Sequence, residues 1–170
     1  YAQEKKDYCN ESVEEFGTRM QWFTDAKYGM FIHFGLYSEL GGVWQGNQIK
    51  GLSSWIQSSA DISPQEYAML THNFNPKNFD ANFIVQTAKK AGMKYLVVTT
   101  KHHEGFCLWD SQYTNFDIAN TPFKRDILAE LSAACRKYDI KFGTYYSIID
   151  WHHPSQERNI DGNDGWGRWG

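Results

Sequence analysis

The sequence lacks several features that would place it in a common class of protein. Its three cysteines, Cys9, Cys107 and Cys135, include no CxxC pair, which argues against a structural zinc site or a disulfide framework. No run approaches the roughly 20 apolar residues of a membrane-spanning helix. There is no block of Lys and Arg, and the net charge is −3. We therefore expect neither nucleic acid nor a membrane as a partner.

Aromatic residues, in contrast, are abundant. They make up 16% of the 170 residues, with seven Trp, ten Tyr and eleven Phe. The simplest interpretation is a large aromatic core. The alternative is a cleft whose flat aromatic faces stack on a ligand such as a sugar ring. The rest of the composition, 41% hydrophobic and 22% charged, is ordinary for one globular domain or part of one.

Strand and helix patterns alternate along the chain. Three strands are predicted, and the β-branched run Tyr95-Leu96-Val97-Val98-Thr99-Thr100 is typical of a buried one. The others cover residues 28–35 and 141–149. Helices are predicted near residues 13–23, from the capping box at Ser63 to about residue 70, from Asn78 or Asp80 to Gly92, and over residues 125–138. The expected buried stripe of the third of these helices is Phe83, Ile84, Thr87, Ala88 and Ala91, and that of the last is Ile127, Leu128, Leu131, Ala134, Cys135 and Tyr138.

This alternation predicts an α/β fold with a parallel sheet and helical crossovers. A (β/α)8 barrel needs about 250 residues, and three strands cannot close one. The last stretch, residues 163–170, is rich in Gly and Trp and caps nothing. We therefore expect residues 1–170 to be the amino-terminal part of a (β/α)8-type barrel domain, with about the first three βα units. Residues 36–61 show no regular periodicity, and long loops in compact domains are often functional.

Histidines follow the predicted strands. His33 ends the first, His102 and His103 follow the second, and His152 and His153 follow the third. The carboxyl ends of parallel strands share one edge of a sheet, where α/β proteins bind their ligands. The adjacent pair can serve one site only where the backbone turns, and Gly105 permits that turn. His72 lies between helices, and we interpret it as structural.

Two kinds of site fit these histidines. His33, His102 and His103 could converge on a metal ion, but adjacent histidines seldom reach one ion and no HExxH pattern is present. We therefore expect neither a metal nor a cofactor. The alternative is a ligand held by hydrogen bonds, because neutral imidazoles both donate and accept and so suit hydroxyl groups. Together with Trp44, Trp55 and Trp151, this favours a carbohydrate.

Side-chain alternation along the strands gives a consistency check. Phe31 and His33 share one face of the first strand, and Tyr145 and Ser147 share one face of the last. If that face is the barrel interior, His33 and Tyr145 both point into the barrel mouth, while Tyr146 faces the helices. Both faces of the middle strand look alike, so its inward face stays open.

The motifs at these positions resemble the α-L-fucosidases of glycoside hydrolase family 29. Residues 22–38 (WFTDAKYGMFIHFGLYS) resemble the family's opening strand, and residues 99–106 (TTKHHEGF) resemble its second-strand signature. Residues 125–128 (RDIL) and 142–147 (FGTYYS) match its third unit. The resemblance covers most of residues 22–154.

The resemblance implies a (β/α)8-like catalytic domain of a retaining exoglycosidase that hydrolyses terminal α-L-fucosyl residues from glycans. It implies that His33, His102, His103 and Tyr145 hold the hydroxyl groups of the sugar. A tryptophan in the loop after the first strand also contacts the sugar in this family. Trp55 is the best match for it, and Trp44 is a second candidate.

The resemblance also implies that no catalytic residue lies within this segment. The nucleophilic aspartate of the family follows the fourth strand and the acid/base glutamate comes later, so both are expected beyond residue 170. Glu104 and Asp150 lie beside the motifs, and we interpret them as supporting or structural groups.

One departure affects the expected substrate. The family often has a Glu-Trp pair where this chain has Ser54-Trp55, and the missing carboxylate would contact the sugar. A relative that acts on a galactose-like sugar is therefore an alternative, as is a non-catalytic carbohydrate-binding protein. Family habit suggests a secreted, periplasmic or lysosomal location, although no signal peptide is visible.

Overall fold

The structure is a computed structural model that describes residues 8–154. Its main sheet has three parallel strands in the order β1–β4–β5, where β1 is Gly29–Ile32, β4 is Tyr95–Lys101 and β5 is Lys141–Tyr146. Gly29 lies opposite Tyr95, and Tyr95 lies opposite Lys141. The predicted α/β fold with a parallel sheet is confirmed. The Gly/Trp-rich stretch 163–170 lies outside the described residues.

Six α-helices accompany the strands within residues 8–154. They are α1 Val13–Ala26, α2 Tyr37–Leu40, α3 Ile56–Ser59, α4 Pro64–Ala68, α5 Ala81–Lys90 and α6 Ile127–Lys137. Short 3-10 helices occupy Tyr8–Asn10, Ser53–Trp55, Met69–His72 and Ile118–Asn120. No helix in the described part of the chain combines the length and the apolar character that crossing a membrane requires.

The helix starts follow from local capping. At α4, Ser63 accepts a hydrogen bond from the Glu66 backbone while the Glu66 carboxylate bonds back to Ser63, which is the predicted capping box. Of the two residues that could open α5, the cap is Asp80, which accepts from Phe83 N at 3.0 Å. Gly92 follows that helix at φ +84°, the left-handed position that glycine adopts without strain.

The core lies between the sheet and α5 and α6. Leu96 and Val98 of β4 are almost completely buried there, together with Ile127 and Leu131 of α6. The predicted stripe of α6 is confirmed, with Leu128 and Tyr138 at its half-buried margin. Because Leu96 and Val98 face the helices, the opposite face of β4, with Val97 and Thr99, is the one that β1 and β5 share with their site residues.

The predicted stripe of α5 is wrong in part. The helix buries Ala81, Val85 and Ala88, which are spaced as one helical face. Phe83 is 69% exposed, Thr87 and Ala91 are exposed, and Ile84 is half-buried. Residue size favoured Phe83 in the sequence pattern, but the face that meets the sheet carries the small residues that allow close packing.

Two strands are shorter than predicted. β1 ends at Ile32, and two residues later the Phe34 backbone amide bonds to the side chain of Thr99 at 3.0 Å. β1 is also half-exposed rather than buried, with Phe31 54% exposed. β5 ends at Tyr146, after which the Ser147 hydroxyl donates to the Ile149 carbonyl at 2.9 Å and closes a turn.

The loop of residues 36–61 contains more regular structure than its sequence suggests. It includes α2, α3 and a two-stranded hairpin of β2 Val43–Trp44 and β3 Asn47–Gln48. Gly46 has a φ of +79°, which allows the tight turn of this hairpin. Residues of this loop, among them Tyr37 and Ser54, line a cavity with His33 just after β1.

Candidate functional site

Side chains from all three parallel strands meet at the carboxyl edge of the sheet. The ring centroids of His33 and His102 are 5.8 Å apart, those of His102 and Tyr145 are 5.9 Å apart, and those of His33 and Tyr145 are 6.4 Å apart. Phe31 lies beneath them, 4.6 Å from the His33 ring and 6.0 Å from the Tyr145 ring. The three polar rings therefore form a triangle that one small ligand can span.

Strand alternation explains why Tyr145, and not Tyr146, lies beside the two histidine rings. An added Cβ at Gly143 would lie 3.2 Å from Val97 Cγ2, so Gly143 and Val97 face the same side of the sheet. Tyr145 follows Gly143 by two residues and faces that side as well. Tyr146 lies on the other side, with Lys101 Nζ 4.9 Å from its ring centroid. The preference for Tyr145 over Tyr146 agrees with this geometry.

His103 lies beside the triangle in an aromatic setting. Its ring is 4.3 Å from that of His102, 4.9 Å from that of Trp55 and 5.3 Å from that of Trp151. Trp55 and Trp151 also contact each other edge to face at 5.4 Å. The loop after β1 and the turn after β5 thus each supply a tryptophan to the same edge.

Trp44 is placed differently. It belongs to the β2–β3 hairpin and is half-buried against the hydrophobic core. Among the ring contacts of residues 8–154, those of His103 involve Trp55 and Trp151, and none involves Trp44. The geometry therefore favours Trp55 as the tryptophan of this site.

A cavity of about 450 Å³ opens beside His33. This volume falls in the range of about 300–1,000 Å³ that small-molecule sites occupy. Its lining comes from the end of β1 and from the loop that follows, namely His33, Tyr37, Ser38, Gly41, Leu52, Ser53 and Ser54. Ser54, the position of the departure from the family pattern, is therefore part of the cavity wall.

Burial keeps the imidazoles of His33 and His103 neutral. Desolvation lowers the pKa of His33, and the nearby His102 lowers it further. The pKa of His103 falls to about 4, first because of burial and then because of the charges that His102 and Lys101 carry when protonated. At neutral pH both rings are uncharged, so each offers one donor and one acceptor nitrogen.

The two carboxylates beside the motifs have different surroundings. Glu104 is 2% exposed, its Oε2 lies 3.6 Å from His102 Nδ1, and burial raises its pKa. Asp150 forms an ion pair with the buried Lys101 at 2.9 Å and accepts a hydrogen bond from His152 N. Asp150 thus joins the turn after β5 to the end of β4, whereas Glu104 is buried beside His102.

The remaining histidines are not part of this cluster of rings. His152 stacks on Phe116 with a centroid distance of 4.0 Å, and burial lowers its pKa. His153 is exposed, and so is His72, which ends the 3-10 helix Met69–His72. Within residues 8–154, no group of three or more His, Cys, Asp or Glu is arranged to hold a metal ion.

Sequence reasoning missed two residues of this edge. Tyr37 is 3% exposed, its hydroxyl lies 3.0 Å from Thr99 Oγ1, and its ring is 5.7 Å from that of His102. Ser147 was placed on the inward face, but its bond to His103 Nδ1 at 2.5 Å was not foreseen. Both contacts join residues far apart in the chain, and no local sequence signal reports them.

Comparisons with known proteins agree with one another. The family described as Alpha-L-fucosidase matches residues 1–165. Human plasma alpha-L-fucosidase is 38% identical over 141 residues, which cover 78% of this chain and 30% of that protein. A putative alpha-L-fucosidase of Caenorhabditis elegans is 36% identical over 142 residues, covering 78% and 29%. The chain thus spans about a third of the length of these relatives.

Solved structures give the same result. An unliganded alpha-L-fucosidase from Lactobacillus casei superimposes with a TM-score of 0.78 at 49% identity, covering 81% of this chain and 43% of that one. An alpha-L-fucosidase from Bacteroides thetaiotaomicron superimposes with a TM-score of 0.79 at 42% identity, covering 92% and 33%. The Lactobacillus casei enzyme has also been solved in complex with its α-L-fucose product, and that structure is 50% identical with a TM-score of 0.77, covering 79% and 42%.

Proposed function

The chain belongs to the alpha-L-fucosidase family, and we propose that the protein containing it is a retaining exoglycosidase that hydrolyses terminal α-L-fucosyl residues from glycans. The observation that carries this proposal is the triangle of His33, His102 and Tyr145, whose rings lie 5.8–6.4 Å apart at the strand ends. Two imidazoles and a phenol at this spacing can bind neighbouring hydroxyl groups of one sugar ring.

In this proposal, residues 1–170 are the amino-terminal part of a (β/α)8-like catalytic domain. The parallel order β1–β4–β5, with helices α5 and α6 as crossovers, is the arrangement expected of successive barrel units. His33, His102, His103 and Tyr145 bind the sugar hydroxyls, and Trp55 packs against the sugar. Trp44 remains the second candidate for that tryptophan.

The chemistry needs two carboxyl groups about 5–5.5 Å apart, and we expect both beyond residue 170. An aspartate attacks the anomeric carbon while the acid protonates the leaving oxygen, and water then releases fucose with retained configuration. Glu104 and Asp150 are poor candidates for either role, since one is buried beside His102 and the other is paired with Lys101. The part of the reaction that residues 8–154 support is the binding and orientation of the sugar.

The proposal is tested by replacing His102 in the full-length protein. The variant His102→Ala should lower kcat/KM for 4-nitrophenyl α-L-fucoside by about 100-fold, because it removes a buried hydrogen-bonding group from the sugar site. The exposed His72 provides the control, and His72→Ala should hydrolyse the substrate at the wild-type rate. Unchanged turnover in a correctly folded His102→Ala variant would show that this edge of the sheet does not bind the sugar.

A galactose-like substrate is the second candidate, and Ser54 is the observation that favours it. Ser54 lines the cavity beside His33 where the family often has a glutamate. L-Galactose shares the ring hydroxyl pattern of L-fucose and carries a hydroxymethyl group where fucose has a methyl. Parallel assays with nitrophenyl fucoside and the corresponding galactoside separate the two, and a protein that binds these sugars without turnover would instead be the non-catalytic relative.

Location belongs to the proposal as well. Fucosylated glycans and glycoconjugates are the expected partners, and a secreted, periplasmic or lysosomal protein would meet them. Fractionation of cells that produce the full-length protein, with fucosidase activity followed in each fraction, tests this directly. Activity confined to the cytoplasm would contradict it.

A further inference from the structure

Ser147 contacts both the imidazole of His103 and a backbone carbonyl. Its side chain lies just past β5 and is 4% exposed. Its Oγ lies 2.5 Å from His103 Nδ1 and 2.9 Å from the carbonyl oxygen of Ile149. A carbonyl can only accept, and a hydroxyl has one hydrogen. Ser147 therefore donates to Ile149 and must accept from His103, which places a hydrogen on Nδ1.

The backbone on both sides holds this arrangement in place. Ser147 N donates to the carbonyl of Lys101 at 2.8 Å, and Trp151 N donates to the carbonyl of His103 at 2.7 Å. These two bonds tie the turn after β5 to the end of β4. Rotation of the imidazole by 180° would break its bond to Ser147, and the rings of His102 and Trp55, at 4.3 and 4.9 Å, crowd that movement.

A neutral imidazole with its hydrogen on Nδ1 has a lone pair on Nε2. His103 stays neutral at working pH because burial and the charges of its neighbours lower its pKa to about 4. Nε2 can then only accept a hydrogen bond. The position of the hydrogen matters because a hydrogen on Nε2 would make that nitrogen a donor instead of an acceptor.

We propose that Ser147 is a positioning residue that fixes His103 as the Nδ1–H tautomer, so that His103 Nε2 accepts a hydrogen bond from a hydroxyl group of the bound sugar. The identity of the ligand rests on the proposed function, whereas the tautomer rests on the geometry of Ser147 alone. A sugar whose contacted hydroxyl is replaced by a methyl ether has no hydrogen to donate, and this site rejects it.

The test reads the tautomer without substrate. The full-length protein is labelled with 15N-histidine, and long-range 1H–15N correlations show which ring nitrogen is protonated, with His103→Gln used to assign the signal. We expect Nδ1–H in the wild type and in Ser147→Thr, which keeps a hydroxyl. In Ser147→Ala we expect a shift toward Nε2–H. Ser132→Ala on α6 is the matched control and should leave the signal unchanged. Among the hydrogen bonds of residues 8–154, the Ser132 hydroxyl accepts only from Arg136.

Kinetics on the same variants test the consequence. Ser147→Ala should raise KM for 4-nitrophenyl α-L-fucoside about tenfold with a smaller change in kcat, the effect of losing about one hydrogen bond to the sugar. Ser147→Thr should recover most of the affinity. A KM in Ser147→Ala that matches the wild type would overturn the role in binding.

The two proposals fail in distinguishable ways. An Nε2–H signal in the wild type overturns the tautomer assignment even if Ser147→Ala does not fold. An Nδ1–H signal that Ser147→Ala leaves unchanged overturns the role of Ser147 in fixing the tautomer. A wild-type protein with Nδ1–H that neither binds nor hydrolyses a fucoside upholds the tautomer assignment and contradicts the proposed function.

Discussion

At the scale of single residues, the site depends on the imidazoles of His33 and His103, which stay uncharged. Burial lowers the pKa of both rings, and the neighbouring His102 lowers each of them further. Uncharged rings are suited to sugar hydroxyls because they offer both a donor and an acceptor.

This neutrality predicts a shifted titration. In the full-length protein, the His103 ring should titrate in NMR spectra with a midpoint near 4, because burial and neighbouring charge disfavour its protonated form. The pKa of His103 is lower in the folded state than the unfolded value of about 6.5. The stability that the neutral ring contributes is therefore fully present above about pH 6.5 and is lost as the pH falls toward 4. A midpoint for His103 at or above the unfolded value of about 6.5 would contradict the electrostatic account.

Residue types and strand alternation predicted His33, the pair His102 and His103, and Tyr145 at one edge, although the inward face of the middle strand stayed open and the contacts with a sugar followed from the family resemblance. Their positions follow from local sequence, since each lies near the end of a strand or just after it. The roles of Tyr37 and Ser147 could not be predicted, because each depends on a partner 62 or 44 residues away. Such contacts are fixed by the packing of the strands and not by the sequence around either residue.

At the scale of elements, the turn after β4 brings the adjacent histidines into the site. Gly105 has φ +84°, and its backbone packs against Asp150 and His152 so closely that an added Cβ would collide with Asp150 Oδ1. Asp150 in turn holds Lys101 at the end of β4. The turns after β4 and β5 therefore support each other.

We predict that Gly105→Ala is strongly destabilising. A left-handed backbone costs a non-glycine residue about 1 kcal/mol, and the collision with Asp150 adds to that by displacing the ion pair with Lys101. Gly46→Ala is the matched control, because Gly46 has φ +79° but nothing near its Cβ position. Thermal unfolding of the two full-length variants compares them directly. Equal losses of stability would mean that the contact with Asp150 is unimportant.

Elements with strong local signals were predicted well from the sequence. Four successive residues of β4, 97–100, are β-branched, and α6 carries its apolar residues at regular helical spacing. The exposed face of β1 and the small-residue face of α5 were not predicted, because both depend on which neighbouring element covers them. The short elements of residues 36–61 escaped notice because four-residue helices and two-residue strands carry too little periodicity.

At the scale of the whole molecule, the described residues leave apolar groups uncovered. Phe31 and Ile148 are 54% and 95% exposed, and they lie on or just after the outer strands β1 and β5. Helix α1 buries none of its residues and exposes Phe16, Trp22 and Phe23. A (β/α)8 domain would cover such surfaces with its remaining units.

This exposure predicts that the 170-residue chain is unstable on its own. Expressed separately, it should aggregate or bind a hydrophobic dye and unfold without a cooperative transition, because uncovered strand edges and apolar surface are left in water. The full-length protein is the control and should unfold cooperatively. A monomeric, cooperatively folding 170-residue chain would contradict the assignment of this segment to a larger barrel domain.

The most direct test of the whole account is a crystal structure of the full-length protein soaked with α-L-fucose. We predict one fucose at the carboxyl edge of the sheet, with its hydroxyl oxygens about 2.7–3.2 Å from nitrogens of His33 and His102 and from the Tyr145 hydroxyl. Fucose bound away from these three side chains, or contacted by only one of them, would contradict the claim that three neighbouring strands hold a single sugar.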